Sequence, residues 1–93
     1  MKAVITVTAK DAKGIIAKVS AKVSENAANI VDISQTVMGE YFAMIMLVEL
    51  EDKKNFSALS EALSVLGKEN NLDIHAMHED IFNSMHRIEK NKR

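Results

Sequence analysis

The stretch YFAMIMLVEL, residues 41–50, has no polar face. In an extended chain Phe42, Met44, Met46 and Val48 line one side, while Tyr41, Ala43, Ile45 and Leu47 line the other. A strand that is apolar on both sides belongs inside a sheet that is covered above and below. The 93 residues available for that cover make one domain with a thin core, and no cysteine supports it. Help from a second chain is therefore expected.

The segments around this strand alternate between two periods. Ala3 to Ala9, AVITVTA, is rich in Val, Ile and Thr and alternates as a strand. From Ala12 to about Ala27, Ile15, Ile16, Val19 and Val23 recur at helical spacing, and Asp11 is placed to cap the helix. Ile30 to Met38 reads as a second strand, joined by a short Gly39–Glu40 turn to the third, so the two form a hairpin. Phe56, Leu59, Leu63 and Leu66 mark a second helix, entered after EDKKN and released near Gly67. Leu72 to Glu79 alternates again as a fourth strand.

The order is β-α-β-β-α-β, an α+β, ferredoxin-like arrangement. Right-handed crossovers set both helices on one face of a four-stranded antiparallel sheet and leave the other face bare. That face would expose more apolar surface than a soluble monomer usually tolerates. In the tail, Ile81, Phe82, Met85 and Ile88 fall on one helical stripe. A C-terminal helix could lay that stripe on its own sheet or on a second subunit.

Composition removes several function classes. The net charge is −1, and the acidic and basic residues are dispersed, which argues against direct binding to nucleic acid or to a membrane surface. Arg87 and Arg93 are the only arginines, so no phosphate clamp forms within the domain. MKAVITVTAK turns polar too early for a signal-peptide core, and the expected compartment is the cytoplasm. His75 and His78, three apart on a strand, point to opposite faces and cannot easily share a metal, so neither a metal nor a cofactor is expected. No serine stands in a G-x-S-x-G context. The first strand–helix loop, Lys10 to Gly14, carries neither the arginine of an acylphosphatase nor the cysteines of a metallochaperone. Tyr41 and Phe42 are the only aromatics in a strand, too few for an RNA-recognition platform.

The remaining candidate region is that loop together with the Asn26–Asn29 turn. Gly14 either frees a tight strand-to-helix turn or leaves room for a small ligand against bare backbone. The two regions lie at opposite ends of the first helix and cannot meet within one chain. Across a two-fold dimer they can.

TAKDAKGIIAKVSAKVSENAANIVDISQTV resembles the opening of an ACT domain: a strand, a polar loop, a glycine before two aliphatics, a helix, then Asn-Ile starting strand two. The likeness covers residues 1–79, with residues 80–93 as a C-terminal amphipathic helix and tail. The chain is similar to short stand-alone ACT proteins of bacteria and archaea and to the halves of the glycine-cleavage-system repressor. The resemblance implies a non-catalytic regulatory module that binds an amino acid at a homodimer interface and acts on a protein partner. The ligand-binding positions it implies are Asp11, Lys13, Gly14, Ile15, Asn29 and Ile30. Asp11 would hold the ammonium, amides near Gly14 the carboxylate, and Asn29 a further polar group. Lys13 stands where the family usually has proline. The alternative is a dimerisation module with no small-molecule ligand. A third reading is an enzyme whose site assembles Asp32 with the three histidines in space.

Overall fold

A computed structural model describes residues 1–10 and 13–85. Asp11, Ala12, His86, Arg87, Ile88, Lys90 and Arg93 lie outside the described residues. The elements are β1 (Lys2–Ala9), α1 (Ile15–Glu25), β2 (Ala28–Met38), β3 (Tyr41–Leu50), α2 (Lys53–Asn70), β4 (Asp73–His78) and α3 (Glu79–Met85). The strands form one sheet in the order β2-β3-β1-β4, and every pairing is antiparallel. This is the expected ferredoxin-like topology, with β3 and β1 inside and β2 and β4 at the edges.

The core lies between the sheet and the two long helices. Ala3, Ile5 and Val7 of β1 and Phe42, Met44, Met46, Val48 and Leu50 of β3 meet Ile15, Val19 and Val23 of α1 and Leu59, Leu63 and Leu66 of α2. Burial of such side chains contributes about 1.5–3 kcal/mol each. Ile16 falls off the buried stripe of α1 and stays partly exposed.

Both helices depart from their expected bounds, for local reasons. Gly14 occupies the N-cap position of α1 at φ 71°, in the left-handed region, so the helix begins at Ile15 and not at Ala12. Its other end comes at Glu25: Asn26 Nδ2 donates to Lys22 O at 2.8 Å, and Ala27 adopts φ 58°. α2 starts at Lys53, earlier than expected, because Asp52 Oδ1 accepts the Asn55 N–H at 3.1 Å and caps it.

Gly67 does not release α2, which runs three residues further. The left-handed residue at the end is Asn71, φ 56°. Gly67 is needed for close approach: a Cβ there would sit 2.7 Å from Leu72 O, where the chain turns back into β4. Leu72 N–H donates to Gly67 O at 2.9 Å and closes that turn.

β2 carries one irregularity. Ile30 pairs with Val48 and Asp32 with the next residue, Leu47, so Val31 is an inserted bulge residue. The bulge inverts the side-chain parity. Ile30, Ile33 and Val37 share the helix side, while Asp32, Ser34 and Thr36 share the open side. Without it, Asp32 would face the helices.

The open side of β3 is left bare. Tyr41 is 54% and Ile45 46% exposed, although their neighbours Phe42 and Met44 are buried. α3 lies against β1 and β4 of its own chain, the strands that carry Val4 and Met77 on this side, and Val4 is buried. His78 caps α3, its Nδ1 accepting the Asp80 N–H at 3.0 Å. Phe82 turns partly inward, while Ile81 and Met85 remain exposed. Among the described residues, no helix is long and apolar enough to cross a membrane.

Candidate functional site

The glycine of the first loop ends a strand-to-helix turn without any tight contact. A Cβ on Gly14 would meet only Lys18 Nζ, at 3.5 Å, so the backbone angle and not the available space demands glycine. Gly14 O accepts the Lys18 N–H at 3.1 Å, closing the first turn of α1. The N–H groups of Ile15, Ile16 and Ala17 precede that bond and have no intrahelical acceptor, and the first turn includes no acid. Such an end attracts anions. Lys13 is exposed beside it, whereas the Ile15 side chain is buried in the core and can offer a ligand only its backbone.

Asn29 and Ile30 lie at the far end of the sheet. Asn29 pairs with Glu49, which also pairs with Lys2, while the first loop departs from Ala9 beside Phe42. Seven residues of strand separate the two levels, about 23 Å at roughly 3.3 Å per residue. One chain therefore does not bring Gly14 and Asn29 together. Register also sets Ile30 on the helix side and Asn29 on the open side.

Among the described residues, Asp32 and the histidines of the third reading do not come together. Asp32 sits on edge strand β2 and His75 on the opposite edge strand β4, three strand spacings apart, or about 14 Å. His75 pairs with Thr6 on the open side and His78 with Ala3 on the core side, so the two histidines point apart as their spacing predicts. Among the described residues, no three metal-binding side chains converge.

A groove that sequence reasoning did not identify lies on the open face at the hairpin end, with a volume of about 430 Å³. Its floor is one row across all four strands: Asp73, Thr8, Ala43 and Thr36 are successive cross-strand partners. These short side chains leave a trough beside the larger Tyr41 and Met38. Lys10 stands at its rim. His75 Nε2 lies 3.1 Å from Asp73 Oδ1. The only sequence signal for the groove is the small residue Ala43 between Tyr41 and Ile45, which becomes a trough only once the register aligns it with two threonines.

Comparison with known proteins follows the same topology. The family model of the ACT domain matches residues 2–77. A UPF0237 protein of Clostridium perfringens is 53% identical over 89 residues, covering 95% of this chain and all of its own. Among solved structures, an ACT domain protein from Streptococcus pneumoniae superposes with a TM-score of 0.77 at 44% identity, over 88% of this chain and 93% of that one. A candidate glycine cleavage system transcriptional repressor matches at 26% identity with a TM-score of 0.75. The match covers 84% of this chain but 47% of that one, so this chain corresponds to about half of it.

Proposed function

This chain belongs to the ACT-domain family, and on that premise we propose that it is a non-catalytic, cytoplasmic amino-acid sensor that works as a homodimer joined through β2. The observation that carries the reading is the state of β2. Ten of its eleven residues are exposed, and the helix-side residues Ile30, Ile33 and Val37 are 39%, 36% and 63% exposed. Asp32 is its only charged residue and no proline interrupts it; the exposed Asp32 Oδ1 that accepts the Ile33 N–H at 2.9 Å must give way to a pairing strand.

A second copy paired antiparallel about a two-fold axis satisfies that edge and covers Ile33 and Val37 with the facing helix layer. The same operation bears on ligand binding. Pairing centred on Ile33 carries the Asn29–Ile30 start of the partner's strand to the hairpin end of this chain, the end at which β1 leaves for Gly14. The two halves of the implied site, distant in one chain, then share one end of the joined sheet. The ligand carboxylate takes the free N–H groups after Gly14, Asp11 takes the ammonium, and Ile30 of the partner subunit supplies an apolar wall. Asn29 of the partner subunit adds a hydrogen bond at the seam.

Ligand that binds only the paired state shifts its population, and the regulated protein partner reads that shift. The test is a thermal-shift screen of wild type and Ile33→Lys against each common amino acid. A rise with one or two amino acids in wild type, absent from the variant, is the expected result, because native-state binding raises stability. A well-folded wild-type dimer that responds to none would favour the ligand-free dimerisation module. That second reading has one observation behind it: the turn alone accounts for Gly14.

A further inference from the structure

The groove at the hairpin end of the open face lies apart from Gly14 and Asn29, and neither residue lines it. Its volume of about 430 Å³ is within the range of small-molecule sites. Most of its lining is apolar, from the Tyr41 ring, Met38 and Ala43, with Thr8 and Thr36 on the floor. Two opposite charges stand at it, Lys10 and Asp73, and their situations differ. Asp73 already has His75 at 3.1 Å, a neighbour that can donate to it in its neutral or protonated form. Lys10 makes no ion pair among the described residues. Among the described residues the charge without a counterpart is therefore the Lys10 ammonium, and the groove complements an anionic head on an apolar body.

We propose that this groove binds a small hydrophobic monocarboxylate, its body lying over Ala43 against Tyr41 and Met38 and its carboxylate meeting Lys10. A positive group on the ligand gains less, because one oxygen of Asp73, the carboxylate among the lining residues, already has His75 as a partner. The order of the sheet accounts for the pocket: four short side chains in register make the trough, and the residues one row closer to the hairpin wall it. The site is independent of the interface reading, and either can fail without the other.

Indole-3-propionate and tryptamine separate the head-group chemistries on the same apolar body. Titrating each into the isotopically labelled full chain and following backbone amide resonances reports both affinity and location. For indole-3-propionate, the expected result is a saturable shift at Thr8, Thr36 and Tyr41–Ala43, with a dissociation constant on the order of 1 mM. Tryptamine should leave these amides in place. Lys10→Glu should weaken indole-3-propionate by roughly tenfold. Ala43→Phe, an exposed substitution by a good strand former, should fill the trough and abolish the shift.

The proposal is overturned if tryptamine binds as well as the acid, if the acid shifts amides only near Gly14, or if nothing saturates by about 5 mM. It is equally overturned if the groove amides move with protein concentration in the absence of ligand, since a second copy would then be the occupant.

Discussion

β2 and β3 are neighbours joined by a two-residue turn, similar in length and both rich in aliphatic residues, yet they end in opposite states. β3 buries every second side chain beneath the helices, whereas β2 buries only Ala28. Five of the eleven β2 residues are polar, but composition does not explain why Ile33 and Val37 stay exposed opposite the buried Met46 and Phe42. Position does: β3 pairs on both sides and lies beneath the helix layer, while β2 is an edge strand whose outer backbone groups meet no strand among the described residues, the Ile33 N–H turning to Asp32 Oδ1 at 2.9 Å. Apolar residues in β3 hold the domain together, and apolar residues in β2 wait for a neighbour.

The contrast can be broken or sharpened by substitution, beginning in the covered half. Met46→Ala, in the middle of β3, should cost about 2–5 kcal/mol in denaturant unfolding. A loss no greater than that of a β2 substitution would erase the distinction between the strands. Gly67→Ala forces a Cβ against Leu72 O and should cost about 1–3 kcal/mol, read from the urea midpoint. At the junction where α1 hands over to β2, Ala27 holds a left-handed φ of 58°, so Ala27→Gly should raise stability by about 1 kcal/mol. Smallest of all, Ile33→Ala in dilute protein should change the unfolding energy by about 0.5 kcal/mol or less, as surface changes do. Any larger effect of Ile33→Ala should grow with protein concentration, the mark of a contribution from pairing.

Much of the fold was legible because it rests on period. Tyr41–Leu50 forms the strand its residues imply, although of its two apolar faces only one is covered within the chain, and the Val, Ile and Leu spacings of α1 and α2 pick out their buried faces. Features of a single residue were not legible. The Val31 bulge could not be read from IVDISQTVM, which has no strict alternation for an inserted residue to interrupt, yet it decides that Asp32 faces away from the helices. Gly67 reads as a helix terminator because glycine commonly is one, but here it makes room for a carbonyl that is brought close only by tertiary structure.

The candidate site divides in the same way. The Gly14 turn and its free helix end could be anticipated from the order of residues, and so could the distance to Asn29. The groove could not, because Thr8, Thr36, Ala43 and Asp73 are far apart in sequence and become one row only through three strand registers. The uncovered state of Ile33 and Val37 was equally hidden, since it depends on where the helix layer stops.

Pairing through β2 is the step from which the sensing account follows, and sedimentation velocity of the wild-type chain beside Ile33→Lys tests it most directly. The account predicts a wild-type species of twice the 10.3 kDa chain mass and a folded variant at the single-chain mass. A monomeric wild type at high concentration, or a variant that still sediments as a dimer, would contradict it.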